Sequence, residues 1–252
     1  MAKAHSKRYH FIDEVRGFLV VLMIFFHLFY DMGDLFGIGI GTTLFNFFSP
    51  AEPFFASLFI FICGLSCKLS SNNYKRGTEL LFVAMAFSIV STILMPDFAI
   101  YFGILHLLAF SILIFALCEP IIDKIHWLIG MIITFVLFIS TYNLPNGYIG
   151  FASFSIELPS WLYSSINLLP LGLIPANVAT ADYFPLIPYI FIFLCGGFYG
   201  VTVKRGNVPN FYRNMHIRPL AFVGRHALIF YILHQPAIYG ILMLYNYIVG
   251  LF

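Results

Sequence analysis

Three histidines lie inside long apolar runs of this 252-residue chain: His27, His106 and His234. A neutral imidazole near pH 7 can take a proton from an amine or hydroxyl, or pass one along a relay. Ionisable side chains at membrane depth are expensive to keep and are usually paired or functional. His27 has the most telling surroundings. Asp31 follows it by four residues, one turn on along the same helical face and within side-chain reach. There it could hold the imidazole in one tautomer and stabilise its charged form. Arg16 precedes His27 by eleven residues. At about 100° per residue that returns to within about 20° of the same face, roughly 16 Å away along the axis. Asp13 stands three residues before Arg16. One face of a first helix therefore reads Asp13, Arg16, His27, Asp31. Such a stripe facing lipid would be very costly, so it is expected to line a bundle interior or a wet cavity. For a single buried histidine the plainer alternative is a helix–helix hydrogen bond, and it stays open for His106 and His234.

The elements that must carry these groups follow from composition. Apolar residues make up 61% of the chain and charged residues only 10%, against about a quarter in an ordinary soluble domain. A water-soluble fold of this size cannot hide so much apolar surface. That excludes a soluble globular domain, a disordered chain and a disulfide scaffold. The expectation is an all-α, polytopic transmembrane helical bundle. The four cysteines, Cys63, Cys67, Cys118 and Cys195, all fall in apolar runs with no CxxC pair, so no zinc site or other metal is expected. The net charge of +2 is too small to suggest nucleic acid. The N-terminal segment does not read as a cleaved signal peptide, because Asp13, Glu14 and Arg16 interrupt it and no small-residue cleavage site follows.

A span needs about 20 apolar residues. About seven are predicted, at roughly 12–32, 48–70, 77–95, 101–121, 126–143, 184–203 and 220–250. The last is long enough to tilt, or to break near Pro236. The Pro-, Gly-, Ser- and Asn-rich stretch at about 144–183 reads as a long non-cytoplasmic loop, with an interfacial or re-entrant helix near 159–175. The whole chain, 1–252, reads as a single transmembrane domain. With the N-terminus in the cytoplasm, alternation through seven spans puts all 13 Lys and Arg inside. These are Lys3, Lys7, Arg8 and Arg16, then Lys68, Lys75 and Arg76, then Lys124, and finally Lys204, Arg205, Arg213, Arg218 and Arg225. The opposite loops carry Asp31, Asp34, Glu52, Asp97, Glu157 and Asp182 but no cation. This asymmetry supports both the odd span count and the orientation; the expected location is the plasma (inner) membrane. It also lets all three histidines reach a similar depth in the outer half of the bilayer.

Several strings resemble a known family. "DEVRGFLVVLMIFFH", Asp13 to His27, resembles the first helix of the membrane acyltransferase-three superfamily, whose signature is an Arg, ten residues and a His. "FFASLFIFICGLS" resembles its second helix. "GILHLLAFS" at 103–111, "DYFPLIPY" at 182–189 and "GRHALIFYILHQP" at 224–236 resemble the bacterial heparan-alpha-glucosaminide N-acetyltransferase-like membrane proteins. The likeness runs in order from about residue 8 to 240.

The resemblance implies acyl transfer. An acyl group, acetyl in the first instance, would pass from cytoplasmic acyl-CoA to an amine or hydroxyl, often of a sugar or other glycan, at or across the lipid bilayer. It implies a catalytic role for His27; the residues themselves offer Asp31 as its orienting carboxylate and His106 and His234 as the other candidate bases. The cytoplasmic cations could grip the CoA phosphates, with Arg16, Lys75, Arg76 and Arg225 as the donor-binding candidates. The same cations also satisfy the positive-inside rule without any ligand. Seven spans are fewer than acyltransferase-three enzymes usually carry, which leaves room for a homodimer to complete the site.

Two other function classes compete. A proton-coupled transporter could use His27, Asp31, His106 and His234 as a relay, although no inverted repeat supports it. A membrane cytochrome could use the histidines as haem ligands, but no same-helix pair has suitable spacing. Gly37, Gly39 and Gly41 imitate a nucleotide loop without a strand before them. Gly196 and Gly200 read as a close helix contact. Asp182 and Tyr183, at the mouth of the sixth span, could touch an acceptor.

Overall fold

The computed structural model describes residues 8–250, apart from Ala152, Ala179 and the side chain of Asp97. Lys3 and Lys7, two cations of the charge argument, lie outside the described residues. The fold is all-α and polytopic. Seven helical segments are long and apolar enough to cross a membrane: His10–Leu35, Gly39–Leu69, Asn73–Leu94, Ile104–Ile122, Trp127–Asn146, Leu186–Lys204 and Ala227–Val249. In hydrocarbon every backbone N–H and C=O needs an internal partner, and a helix supplies it within one segment. The chain separates into two compact units, Met1–Phe59 with Val208–Phe252, and Ile60–Asn207.

The first unit contains α1 (His10–Tyr30), α2 (Gly39–Phe48), the start of α3 (Glu52–Leu69), α8 (Arg218–Arg225) and α9 (Ala227–Val249). The last turn of the first span is not α-helical. Asp31–Leu35 forms a π-helical turn, a wider coil that often marks functional positions. α2 then folds back beside it. Phe45 packs on Phe26 and Tyr30, with ring centroids 4.9 and 5.4 Å away, and Phe48 stacks on Phe29. α8 crosses α1 with backbones in contact. A Cβ at Gly17 would lie 1.9 Å from the Leu220 carbonyl oxygen, and one at Gly224 would lie 1.8 Å from that of Asp13. Only glycine at both positions permits that approach.

The second unit contains the remainder of α3, α4 (Asn73–Leu94), α5 (Ile104–Ile122), α6 (Trp127–Thr141) and α7 (Leu186–Lys204). α5 and α7 are the most enclosed spans, and the fully buried Phe115 and Phe193 meet edge to face between them. α4 packs on α5 and α6 on α7. Their outward faces expose Phe82, Ile93, Ile132 and Val136, as a surface facing lipid requires. Gly64 of α3 and Gly196 of α7 meet in a second backbone contact, each with its Cβ position 1.9 Å from a carbonyl of the other helix. The spacing of Gly196 and Gly200 therefore marks close packing, as their sequence context suggests. Lys68 is buried at the end of α3, 2.8 Å from Glu119 and 2.5 Å from Asp123. Its charge is already matched twice over, so it is not available to phosphates.

Two local expectations differ from the structure. The last span breaks at His226, which leaves helical geometry between α8 and α9, and not at Pro236. Pro236 costs α9 one ladder bond, to Ile232, but does not end it. The loop expected to hold an interfacial helix near 159–175 holds two short 3-10 segments, Ser160–Tyr163 and Ile166–Leu171. They follow a hairpin of β1 (Tyr148–Phe151) and β2 (Phe154–Glu157). Repeated Pro, Gly and Ser in this stretch break up any longer α-helix.

Candidate active site

The first unit brings α1 and α9 together, and with them two of the three histidines. The His27 and His234 rings lie 5.0 Å apart, tilted by 46°. α9 fixes His234 from its own backbone: Nδ1 is 2.6 Å from the Tyr231 carbonyl oxygen. A carbonyl only accepts, so Nδ1 carries the proton and Nε2 of the neutral ring carries the lone pair. That Nε2 is buried and has no hydrogen-bond partner among the described residues. A buried, unshared lone pair of this kind is what a general base needs before its substrate arrives.

Asp31 opens the π-helical turn and is 1% exposed. Its carboxylate takes a hydrogen bond from Gln235, the residue after His234. Its Oδ1 is buried without a partner among the described residues. The expected bond from Asp31 to His27 is not among those seen. Asp31 instead ties α1 to α9 one residue along from the histidine pair. Asp31 and His234 are buried, His27 is half-buried and Gln235 is exposed, and the two buried groups each keep one acceptor position unfilled. An unfilled buried acceptor costs about 1–3 kcal/mol. A unit that keeps two of them, on α9 and at the end of α1, is poised for a ligand or a proton.

α1 is an unbroken α-helix from His10 to Tyr30, so Arg16 stands about 16 Å from His27 along its axis. Arg16 Nη1 is 3.3 Å from Asp13 Oδ1 and 3.3 Å from the Gly224 carbonyl oxygen. Asp13 also pairs with Arg8 at 2.7 Å. The glycine crossing therefore brings Arg16 to the backbone just before Arg225. Arg225 is exposed and returns Nε to the Ala221 carbonyl at 2.9 Å. Arg218 lies two turns earlier on the same side of α8 and is also exposed. Beside them Glu14, buried in α1, accepts hydrogen bonds from the backbone N–H of His216 and Ile217 at 2.5 and 2.9 Å. It also meets the His216 ring at 3.1 Å. That clamp fixes the start of α8. Sequence reasoning passed over it, although a second acid beside Asp13 at the head of an apolar run was the available signal.

The other candidates lie in the second unit. His106 has both ring nitrogens engaged: Nδ1 accepts from the Gly103 N–H at 3.3 Å, and Nε2 is 3.3 Å from Ser88 Oγ. Ser88 spends its own proton on the Ile100 carbonyl, so it accepts from His106 Nε2–H. His106 therefore braces the first turn of α5. Lys75 is exposed and 3.8 Å from Glu79, while Arg76 Nη1 is 3.3 Å from Asn73 Oδ1. Asp182 accepts from the Ile104 N–H at 3.1 Å and so caps α5. The Tyr183 hydroxyl donates to the Leu169 carbonyl at 2.8 Å. Burial, together with the Tyr163 phenol, holds the Tyr183 phenol above its usual range, so it stays protonated at neutral pH.

A family model described as "Heparan-alpha-glucosaminide N-acetyltransferase, catalytic" matches residues 8–236. No curated protein and no solved structure matches the chain. The matched segment begins two residues before α1, takes in both units and ends just past the His234–Gln235 pair. On that extent, the chain belongs to the heparan-alpha-glucosaminide N-acetyltransferase catalytic family.

Proposed function

We propose that this membrane protein is an acetyl-CoA-dependent acetyltransferase, and that the His27–His234 pair is its reaction centre. The acceptor is an amine or hydroxyl of a sugar or other cell-envelope glycan. The observation that carries the reading is the buried, partnerless Nε2 of His234, held beside His27 and one residue from the Asp31–Gln235 contact. In the reaction, the acceptor nitrogen or oxygen attacks the thioester carbonyl as the imidazole takes its proton. The tetrahedral carbon then expels the CoA sulfur, which recovers that proton from the imidazolium. Asp31, one helical turn beyond His27, favours the transient positive charge. Arg16 and Arg225 of the first unit hold the phosphates, and Lys75 and Arg76 are the second unit's own candidates for that role. The supporting geometry is strongest for Arg225, whose guanidinium is exposed beside the Arg16 end of α1.

Binding is tested by calorimetry with acetyl-CoA in detergent. Arg225→Ala is expected to weaken affinity by the worth of a charge-assisted contact, about 1.5–3 kcal/mol. Unchanged affinity removes Arg225 from the donor site. A proton-coupled transporter remains the second reading, because the unfilled Asp31 Oδ1 beside two histidines is also what an intramembrane proton site needs.

The donor's route depends on orientation, which we place with the N-terminus in the cytoplasm of a plasma (inner) membrane. Seven spans keep the described Lys and Arg on the N-terminal side, and this supports the assignment. Single cysteines introduced at Asn72 and Asn210, on a background without the native four, should resist an impermeant thiol reagent applied outside whole cells. A cysteine at Asn146 should react. The reverse pattern overturns the orientation.

A further inference from the structure

The hairpin of the second unit has two unlike faces. Strand pairing sets Phe151 opposite Phe154 and Ile149 opposite Ile156. Successive side chains alternate, so these four share one face, and Tyr148, Gly150, Ser155 and Glu157 share the other. The apolar face is left open: Phe154 is 82% exposed, Ile156 72% and Phe151 53%. Trp161, just after the hairpin, is 69% exposed. An isolated two-stranded hairpin is at best marginal in water and needs its apolar face covered.

We infer that this face dips into the lipid interface at the end of α6. The covering medium is identified by continuity and by charge. β1 begins a few residues after α6 and packs against it, and α6 exposes Ile129, Ile132, Ile133 and Val136 along the surface that meets lipid. The hairpin extends that apolar surface to the level where a span leaves the hydrocarbon. No Lys or Arg occurs between Lys124 and Lys204, so attraction to anionic headgroups plays no part. The face is Phe and Ile with a Trp nearby, the composition that settles at the headgroup–acyl boundary of uncharged lipid. A second copy or a partner protein would need a rim of hydrogen-bonding and charged groups around these side chains. Glu157 is the single charge on the hairpin, and it lies on the other face.

The test uses the full chain in phosphatidylcholine vesicles. Trp127 and Trp161, the two native tryptophans, are replaced by Phe, and one tryptophan is introduced as Phe154→Trp or, on the opposite face, Ser155→Trp. The expected result is loss of Phe154→Trp emission when the vesicles carry bromine high on the acyl chain. Ser155→Trp emission should be lost to aqueous acrylamide instead. Phe154→Trp emission that ignores bromolipid overturns the inference, whether acrylamide reaches it or a second copy shields it. The unaltered protein gives an independent readout that needs no variant. A photoactivatable phosphatidylcholine should label the 148–157 peptide as well as α6. Labelling of α6 alone overturns the inference as well.

Discussion

His27→Ala and His234→Ala are each expected to lower acetyl transfer by about 10²–10⁴, the usual worth of a positioned general base. Acetyl-CoA should still bind, because the cationic end of α1 lies about 16 Å from His27. The double variant should be little worse than the poorer single one. The rings stand 5.0 Å apart and serve one proton transfer, and residues that act as a unit are not additive. Asp31→Asn should fall between the parent and the histidine variants, since it keeps a polar partner for Gln235 and loses only the charge. Turnover of radiolabelled acetyl-CoA, measured beside calorimetry for each variant, separates these outcomes. Full turnover in His27→Ala, with a competent acceptor, would leave His234 as the base and remove His27 from the chemistry.

Gly17→Ala or Gly224→Ala should destabilise the protein by about 1–3 kcal/mol or more, the range for overpacking a closed contact. Each added methyl meets a backbone carbonyl on the facing helix at under 2 Å, so no side chain can turn away to relieve it. The helices must part, and the Arg16 bond to the Gly224 carbonyl goes with them. Gly240→Ala is the control. Nothing lies within 4 Å of its Cβ position inside α9, so thermal stability should hold or rise. Thermal unfolding in detergent reads both. An unchanged midpoint for Gly17→Ala would mean that α1 and α8 do not cross this closely.

The spans were legible because a run of about 20 apolar residues has one physical solution in a bilayer. The Arg16–His27 spacing was legible for a related reason: α1 is a regular helix, and 3.6 residues per turn fixes its faces. What lay beyond that was set by packing between helices. No periodicity could say that His234 meets His27 whereas His106 turns to Ser88 and Gly103, since all three occupy similar apolar runs. Asp31 keeps α-helical geometry, with its N–H bonded back to the His27 carbonyl, but its carboxylate meets Gln235 of α9, a partner that spacing along α1 cannot reveal. Lys68 read as a surface cation because Glu119 and Asp123 are about fifty residues away in sequence. The hairpin was hidden by its shortness: two four-residue strands offer too little alternation to stand out from a Pro- and Gly-rich loop.

Transfer of a radiolabelled acetyl group from acetyl-CoA to a glycan amine or hydroxyl, by the purified full-length protein in lipid vesicles, tests the central claim most directly. Labelled acceptor should form with the parent and fall to background in the His27→Ala, His234→Ala double variant. A parent that neither binds acetyl-CoA nor moves its acetyl group to any amine or hydroxyl acceptor contradicts the account, and leaves His27, Asp31 and His234 to the transporter reading.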